Sequence, residues 1–445
     1  MERPSGDHQY IATVKNLIDP QSHNLYDITA EAATALLVEK GAAAMAELSG
    51  SFALLGRDGQ KILLARSLDR PMRYFLAKEE SGPMLIVAER IDEIRAHLAE
   101  LGFEDQFHPS YTRMVPAHYV TELQLVGCPD PNPVYERFFD PPRETLPADE
   151  GVIGKAYVEA LHHEVHRFLD NVDDAEPLGV CFSGGIDSGA VLVSLERALR
   201  ERGQAPTRLK AFTLNAGGGA DVVQAREFLR KLDLEMLGEE IEVAPSALDP
   251  LAAIEVIEDY KPLDVECATV GLALLQGIRD RYPEWRQLVD GDGGDENLKD
   301  YPIEENSELT IRSVVNNLML YQEGWGVESI KHSLTYSGGL SRGYVRTYAP
   351  ARHLGFRGFS PFTRPAVIQV AEAIPFAEMT QGSHDKLYAL KGEVVRLGME
   401  QVLGVDFPVY PKRRFQQGAA SEGDFARVFD VAPETYRQHF TRLHA

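Results

Sequence analysis

The chain is constrained most by residues 177–202, where a short glycine-containing turn joins an apolar stretch to a helical one. The apolar stretch PLGVCF runs directly into Ser183–Ser188, SGGIDS, which is followed by GAVLVSLERALRER. Glycines let the backbone amides of such a turn converge on an anion without obstruction by Cβ atoms. The N-terminus of the following helix adds the positive end of its dipole. The pattern therefore predicts a strand, a phosphate-binding loop and a helix, in that order.

The polar residues of this loop suit a bound polyphosphate. Ser183 and Ser188 supply hydroxyl donors, Gly184 and Gly185 supply unobstructed amides, and Asp187 supplies a carboxylate that can hold Mg²⁺. The alternative is a glycine-containing turn in which a serine or aspartate merely caps the helix. The combination of serines, glycines and an aspartate directly after a strand favours the phosphate site.

A second loop, Asp290–Glu296, has the sequence DGDGGDE and also follows an apolar stretch, RQLV. Loops at the carboxyl ends of strands in an open α/β sheet face the same crevice. We therefore expect Asp187 and Asp295 to share one Mg²⁺. A calcium-binding or merely solvated acidic turn is the alternative, but the spacing lacks the glutamate that an EF-hand loop needs at its twelfth position.

The order of apolar and helical segments predicts an α/β fold with a doubly wound parallel sheet in the C-terminal part. The N-terminal part is typical of an α+β domain, and its predicted elements are a helix near 32–48, strands at 51–56, 61–66 and 83–88, and a helix at 89–103. Six prolines within residues 128–148 predict an irregular connection between the two parts. We place the domain boundary between residues 145 and 146.

Composition argues against several classes of protein. The formal net charge is −23 and no run of Lys and Arg exceeds three residues, which argues against nucleic acid as the main partner. The three cysteines, Cys128, Cys181 and Cys267, are too few and too far apart for a disulfide framework or a paired metal site. No apolar stretch approaches the ~20 residues of a membrane-spanning helix, and no signal-peptide pattern is visible. We expect a cytoplasmic protein that acts on small molecules and has no membrane partner.

Five segments in the same order resemble the asparagine synthetase and β-lactam synthetase superfamily. They are SGGIDS, DGDGGDE, SPFTRPAV at 360–367, KLYALKGEVVR at 386–396 and PKRRF at 411–415. The similarity covers about residues 150–420. The resemblance implies an adenine nucleotide alpha hydrolase-like fold and an ATP-dependent, AMP-forming ligase. It also implies that the first loop binds pyrophosphate and that the paired aspartates hold Mg²⁺.

The resemblance implies roles for three further residues. Leu214 and Gly291 would contact the nucleotide, and Lys412, in the last segment, would stabilise the charged transition states of adenylation and of attack on the adenylate. A cation late in the sequence can fold back over the phosphates and offset their charge. A solvated lysine in a basic loop is the alternative for Lys412.

Residues 36–94 resemble the second half of a class II glutamine amidotransferase domain, which would make the N-terminal part a partial Ntn fold. The first half of that domain has no counterpart in the chain. A working amidotransferase begins at a cysteine whose own amine acts as the base, whereas this chain begins Met1-Glu2. We therefore expect residues 1–145 to form a truncated domain without a nucleophile, and glutamine not to be hydrolysed. The nucleophile would be ammonia, another amine or a group already in the substrate.

Two positions depart from the family pattern. Glu266 stands in a segment, YKPLDVECATVGLALL, where asparagine synthetases carry an arginine near the pyrophosphate, and Asp292 replaces a more usual glutamate. A carboxylate at position 266 would repel phosphates unless it faced a cationic substrate or were paired. Both changes fall where the acceptor substrate is expected. We therefore take Glu266 and Asp292, with Lys412, as candidate catalytic residues and do not infer asparagine synthesis itself.

Two further patterns carry less information. His162 and His166 lie four residues apart on a predicted helix, as metal ligands can, but no third ligand is evident and a polar helix face is favoured. Gly217–Gly219 follows a predicted strand and could either approach the adenine or ribose or form a flexible loop. The sequence does not decide between these two.

Together these features predict a two-domain enzyme whose residues 146–445 form an ATP-binding synthetase domain. A substrate carboxylate would attack the α-phosphorus of ATP, and ammonia or an amine would then attack the acyl-adenylate, giving an amide or lactam. One alternative is a pyrophosphate-loop enzyme that adenylates another carbonyl, on an RNA base or for sulfur transfer, which would need a basic surface or a reactive cysteine pair. The other is a non-catalytic binding subunit. A homodimer or a partner enzyme stays open, as do the identities of the acid and the amine.

Overall fold

The structure is a computed structural model that describes residue 11 and residues 13–124, 133–300, 303, 310–316, 344–411 and 418–444. The described residues separate into two compact units. The first contains the residues up to Asp140 together with 441–444, and the second contains those from Pro141 to Phe440. No helix in the described part of the chain is both long and apolar enough to cross a bilayer. The assignment of the two domains at 1–145 and 146–445 stays a prediction.

The first unit is a mixture of strands and helices. Its strands are β1 (Thr13–Asn16), β2 (Asn24–Leu25), β3 (Gly50–Ser51), β4 (Ala53–Asp58), β5 (Lys61–Arg66), β6 (Arg73–Glu79), β7 (Gly82–Ala88), β8 (Arg113–Met114), β9 (Tyr119–Leu123) and β10 (Val134–Arg137). Its helices are α1 (Ala30–Lys40), α2 (Ala42–Met45) and α3 (Ile91–Glu100).

The strands of the first unit form two four-stranded sheets, in the orders β1-β7-β6-β8 and β10-β9-β5-β4, and β2 pairs with β3. The strands predicted at 51–56 and 61–66 correspond to β4 and β5, which pair antiparallel and are joined by a turn in which Gly59 has a φ of 57°, a conformation that glycine adopts without strain. The predicted strand near 83–88 and helix near 89–103 are confirmed as β7 and α3. The single helix predicted near 32–48 is wrong, because Gly41 leaves helical geometry, with φ 58° and ψ −135°, and divides it into α1 and α2. A likeness of this unit to an amidotransferase stays a prediction.

The second unit begins with helix α4 (Glu150–Asp170). It continues through β11 (Leu178–Cys181), α5 (Ile186–Glu201), β12 (Leu209–Asn215), α6 (Ala220–Lys231), β13 (Gly238–Glu242), α7 (Pro250–Ile257), α8 (Pro262–Arg281), β14 (Gln287–Val289), α9 (Gly294–Leu298) and α10 (Ile311–Val315). After a π-helical turn at Tyr344–Tyr348 come α11 (Ala349–His353), β15 (Arg357–Phe359), α12 (Pro365–Glu372), α13 (Phe376–Thr380), α14 (His384–Leu403), α15 (Glu422–Phe429) and α16 (Pro433–Leu443).

Strands β11 to β15 form one parallel sheet in the order β13-β12-β11-β14-β15. The chain moves outward from β11 to β13 and then returns to β14 on the other side of β11. Where the strand order reverses in this way, the connections leave the neighbouring strands in opposite directions and open a crevice at their carboxyl ends. The loop Ser183–Ser188 follows β11 and the loop Asp290–Glu296 follows β14, so the fold places both at this crevice. The predicted α/β class with a parallel sheet is confirmed.

Helix α14 reaches the crevice by packing closely along α4. A Cβ on Gly154 would collide with the carbonyl of Val394 and would lie 2.9 Å from the amide nitrogen of Gly398. Glycine at 154 and at 398 therefore allows the two helices to cross in near contact. Lys391 lies two helical turns before Gly398, on the same face of α14. The close crossing thus fixes how deeply Lys391 reaches into the second unit.

Candidate active site

The first loop connects Cys181, the last residue of β11, to Ile186, the first residue of α5. Gly184 has a φ of 76°, and a Cβ at this position would lie 2.7 Å from the amide nitrogen of Ala225. Glycine is therefore required both by the backbone conformation and by the approach of α6. The N-cap of α5 is Gly185, which has no side chain to accept from the first helical amides. Those amides and the helix dipole point into the crevice as an anion-binding helix N-terminus does.

The two serines of the loop lie next to each other. The hydroxyl oxygens of Ser183 and Ser188 are 3.3 Å apart, and the amide of Ser183 donates to the Ser188 hydroxyl over 3.3 Å. The amide of Gly185 donates weakly to the Ser183 hydroxyl, over 3.4 Å. The structure thus gathers the predicted hydroxyl and amide donors in one turn, where they can rotate towards a bound phosphate.

The second loop is in direct contact with the first. A Cβ on Gly291 would lie 2.6 Å from the amide nitrogen of Ser188, and a Cβ on Gly294 would collide with the carboxylate of Asp187. Gly293, with a φ of 99°, turns the chain from β14 into α9. The glycines that the sequence shows in DGDGGDE are therefore what lets the second loop approach the first.

This contact brings Asp187 and Asp295 together around a third residue, Lys391. The Lys391 ammonium donates to Asp187 Oδ2 over 2.6 Å and also to Asp295 Oδ1, and its Nζ lies 3.5 Å from Asp300 Oδ2. The Lys391 side chain is 3% exposed, whereas the side chains of Asp187 and Asp295 are 21% and 25% exposed. Burial alone would lower the pKa of Lys391, but the three carboxylates raise it well above its usual range. Lys391 is therefore a charged ammonium surrounded by three carboxylates.

The position of Lys391 bears on the predicted Mg²⁺ site. Asp187 Oδ2 and Asp295 Oδ1 converge on one cationic atom, and both side chains keep a solvent-accessible side. Paired carboxylates that share a cation are the oxygen donors that Mg²⁺ binds together with substrate phosphates. The residues present thus fit the metal, although the cation that the structure places between them is an ammonium. The sequence predicts the pairing of Asp187 with Asp295 but not the contact of Lys391 with both.

Asp292 lies in a different environment from Asp295. The hydroxyl of Thr347 donates to Asp292 Oδ2 over 2.7 Å, and Arg346 Nη1 lies 3.8 Å from Oδ1. The pKa of Asp292 is raised to about 6. Burial is the largest cause, and the charges of Glu296 and Asp295 act in the same direction, whereas Arg346 and the Thr347 hydrogen bond lower the pKa. Asp292 can therefore change its protonation state near neutral pH, as a general base needs to.

Asp290 stabilises this loop through hydrogen bonds to its side chain. The hydroxyl of Ser360 donates to Asp290 Oδ1 over 2.5 Å, and the amide of Asp292 donates to the same oxygen over 3.0 Å. Burial and the neighbouring Asp292 raise the pKa of Asp290 well above its usual range. Ser360 opens the predicted segment SPFTRPAV, so that segment contributes to the shape of the acidic loop.

Arg346 and Glu296 belong to the same site and were not predicted from the sequence. Burial opposes ionisation of Arg346, but Glu296 and then Cys267, Asp292 and Asp295 hold its pKa well above the usual range. Both carboxylate oxygens of Glu296 are buried and receive no hydrogen bond from the described residues. The crevice therefore contains a buried carboxylate with unused acceptor capacity beside the candidate base.

The structure describes three more of the predicted residues, namely Leu214, Glu266 and Gly219. Leu214 is buried near the carboxyl end of β12, so only its backbone can meet a nucleotide. Glu266 is half-buried on α8, beside Tyr436, whose pKa is raised to about 12 by burial and then by Glu266. Lys412 lies outside the described residues. Gly219 packs against the carbonyl of Gly418, where a Cβ would collide, so close packing is one reason for glycine there.

Comparison with protein families decides how this arrangement is classified. Residues 159–354 match the family model of asparagine synthase. This part of the chain is similar to asparagine synthase domains. Proteins of this family are ATP-dependent ligases that form amides. A comparison with curated proteins gave no match.

The match to the asparagine synthase domain covers both loops of the crevice. It begins within α4 and ends at Leu354, directly after α11, so it includes Ser183–Ser188 and Asp290–Glu296. The resemblance of the chain to the asparagine synthetase superfamily is thereby confirmed. The later segments at 360–367, 386–396 and 411–415 lie beyond the matched residues, although Ser360 and Lys391 from two of them contact the loops.

Proposed function

We propose that this protein is an ATP-dependent synthetase that adenylates a substrate carboxylate and transfers the acyl group to ammonia or an amine. The products would be an amide or lactam, AMP and pyrophosphate. The observation that carries the proposal is the direct contact between the Ser183–Ser188 loop and the Asp290–Glu296 loop at the strand-order reversal of the parallel sheet. One crevice there contains the hydrogen-bond donors that can bind phosphate, the paired carboxylates of Asp187 and Asp295, and the titratable carboxylate of Asp292.

In the first step the chain would bind and orient ATP. The amides and hydroxyls of Ser183–Ser188 and the N-terminus of α5 would hold the β- and γ-phosphates. Asp187 and Asp295 would hold Mg²⁺, which neutralises phosphate charge when bound. A carboxylate oxygen of the substrate would then attack the α-phosphorus, and the bond to the bridging oxygen would break to release pyrophosphate. Lys391 would keep the two aspartates together while the phosphates bind and leave.

In the second step an amine nitrogen would attack the carbonyl carbon of the acyl-adenylate, and the carbon–oxygen bond to AMP would break. The nitrogen must lose a proton on the way to the amide. Asp292 would accept it, because its pKa of about 6 leaves it ionised at neutral pH while burial keeps the proton affinity high. The buried carboxylate of Glu296 would attract the positive charge of the incoming amine. Holding both reactants in one cavity lowers the entropic barrier.

The nucleotide products test this proposal. Incubation with ATP, Mg²⁺ and a panel of carboxylic acids and amines should yield AMP and pyrophosphate with the correct pair, and mass spectrometry should find the amide. The acid alone should support exchange of labelled pyrophosphate into ATP, because adenylation precedes attack by the amine. ADP and orthophosphate as the main products would contradict adenylation. A protein that binds ATP but shows neither exchange nor turnover across the panel would favour the non-catalytic subunit.

The source of nitrogen can be tested in the same assay. Burial and then the charges of Asp290 and Asp292 raise the pKa of Cys181 well above its usual range, and Cys267 is buried. Neither thiol is therefore disposed to be the thiolate nucleophile that glutamine hydrolysis needs. We expect ammonium or a primary amine to support turnover and glutamine to release no glutamate. Glutamate formation above a control without enzyme would overturn this expectation.

The pH dependence of turnover should report Asp292. Its raised pKa means that the carboxylate is mostly protonated at pH 5 and mostly ionised at pH 7, so kcat should rise through about pH 6. Asp292→Asn should remove this rise and lower kcat by about 10²-fold. Thr347→Val should shift the midpoint to higher pH, because the Thr347 hydrogen bond lowers the pKa. A profile in Asp292→Asn that keeps the same midpoint would show that another group titrates.

A further inference from the structure

A second cluster of ligand-type side chains lies on the outer side of the second unit, where α4 packs against α5. His162 and His166 are one turn apart on α4, and Glu201 is the last residue of α5. Glu201 Oε2 is 3.0 Å from His162 Nε2 and 2.9 Å from His166 Nε2, and the two Nε2 atoms are 3.1 Å apart. The third ligand that the sequence did not reveal is thus supplied by a neighbouring helix.

Protons cannot satisfy all three of these contacts at once. Arg202 Nε donates to His166 Nδ1 over 3.2 Å, so a neutral His166 carries its proton on Nε2. If His162 is also protonated at Nε2, two N–H groups face each other across 3.1 Å. If it is not, its lone pair faces the carboxylate of Glu201. A cation held by three lone pairs would remove this conflict.

We propose that His162, His166 and Glu201 form a binding site for a divalent first-row transition metal of the Zn²⁺ class. Zinc lies about 2.0–2.2 Å from imidazole nitrogen and carboxylate oxygen, which separates its ligands by about 3.4 Å in a tetrahedron. The triangle of 2.9–3.1 Å needs to open only slightly to accept the ion above its plane. Three protein ligands leave a fourth position for water or another small ligand.

The surroundings of the triad suit this assignment. The Nδ1 atom of His162 lies 2.9 Å from the hydroxyl of Ser194, so Ser194 can accept the Nδ1 proton and present Nε2 to the metal. The side chains of His162, His166 and Glu201 are 12%, 29% and 52% exposed, so an ion can enter from solvent.

Arg202 has to change its contact when the metal binds. Ligation through Nε2 places the proton of His166 on Nδ1, so the Arg202 Nε–H must leave that atom. Arg202 Nη2 also donates to the carbonyl of His166 over 2.6 Å and to Asp170 over 2.7 Å, so the guanidinium can remain nearby. The contact of Arg202 with Nδ1 therefore favours the tautomer of His166 that cannot bind the metal through Nε2. Removing it should strengthen binding.

The site is separate from the crevice that we assign to ATP. Glu201 and Ile186 lie at opposite ends of α5, 16 residues long, which at ~1.5 Å per residue separates them by about 22 Å. Metal binding can therefore be measured on the whole protein without following catalysis. Excess Mg²⁺ in the buffer keeps Asp187 and Asp295 from competing for the probe, because Mg²⁺ prefers oxygen ligands.

The test is titration of the chelator-treated full-length protein with Zn²⁺ against a chromophoric competitor, with Co²⁺ absorption as a second readout. We expect about one equivalent to bind and to raise the unfolding temperature. Each of His162→Ala, His166→Ala and Glu201→Gln should weaken binding by about 100-fold or more. His163→Ala, an exposed histidine on the same helix, is the matched control and should change nothing.

Arg202→Ala should bind Zn²⁺ more tightly than the unaltered protein. Misfolding of the variant would not produce this increase in affinity. Circular dichroism confirms that each variant is folded. Loss of the equivalent in the three ligand variants, with tighter binding in Arg202→Ala, supports the site. Unchanged Zn²⁺ affinity in the ligand variants, or an equal loss in His163→Ala, overturns it.

Discussion

Replacing Lys391 with methionine should destabilise the folded protein by about 2–4 kcal/mol. The ammonium contacts Asp187, Asp295 and Asp300, and its removal leaves three carboxylates close together without a counter-ion. Breaking a fully buried ion pair costs ~3–5 kcal/mol, and the partial exposure of Asp187 and Asp295 reduces this value through solvation. Denaturant unfolding of the Lys391→Met variant measures the loss directly.

Two conditions should restore part of this stability. The uncompensated carboxylates should titrate at a raised pKa, which makes the variant relatively more stable at low pH and less stable as pH rises. The loss should therefore be smaller at pH 5 than at pH 8. Mg²⁺ should also stabilise the variant more than it stabilises the unaltered protein, because Asp187 and Asp295 remain available to it.

Lys386→Met is the matched control, because Lys386 is an exposed lysine of the same helix whose ammonium donates to Gln381. It should change the free energy of unfolding by less than about 0.5 kcal/mol. A loss of that small size in Lys391→Met would mean that the ammonium does not hold the aspartates together.

The two loops of the crevice could be predicted from the sequence because each carries its geometry locally. Glycine at 184 and 294 indicates a turn that another part of the backbone or a side chain approaches closely. The apolar stretch before each loop predicts a buried strand. Parallel strands bring such loops to one edge of a sheet, so Asp187 and Asp295 could be paired without knowledge of the strand order.

The groups that set the charge of the site could not be predicted in the same way. Arg346 and Thr347 contact Asp292 from more than fifty residues away, and no glycine or periodic pattern marks them. In the sequence, Glu296 is only one of several acidic residues in a loop, because burial of a carboxylate depends on tertiary packing. For Lys391 a signal existed in KLYALKGEVVR, but only the crossing of α4 and α14 shows that it points at the aspartates.

The histidine pair on α4 shows the same limit. Spacing alone predicts that His162 and His166 share one helix face, and because the sequence shows no third ligand it favours a plain polar surface. The third side chain comes from Glu201, thirty-five residues after His166, at the end of the next helix. A three-ligand cluster assembled from two helices is visible only once the packing of α4 and α5 is known.

We expect two lysines to perform two tasks that differ in timing. Lys391 has its partners before ATP binds, because its ammonium already contacts Asp187 and Asp295 in the folded protein. Lys412, which lies outside the described residues, is expected to meet charge that develops only during transfer. Val409, three residues earlier, packs near Gly392 on the helix that carries Lys391: a Cβ on Gly392 would lie 3.0 Å from Val409 Cγ1. The chain therefore passes close to the crevice shortly before Lys412.

Lys412→Ala should lower kcat and kcat/KM together by about 10²–10³-fold, the loss typical of removing one preorganised charge from a developing transition state. The KM for ATP should change little, because the ground-state phosphates are held by Ser183–Ser188. Asp187→Asn should instead weaken ATP binding and turnover together. Steady-state kinetics with the acid and amine found in the product assay separate these patterns.

Arg413→Ala is the matched control for Lys412→Ala, since it removes a neighbouring cation from the same basic segment. It should lower kcat far less, because the resemblance that assigns a role to Lys412 gives Arg413 no charge to meet. Near-normal turnover in Lys412→Ala, or a larger loss in Arg413→Ala, would contradict the alignment of PKRRF with the family's last segment. Lys391 would then be the catalytic cation to examine, and a variant that keeps its fold in Mg²⁺ but loses kcat would identify it.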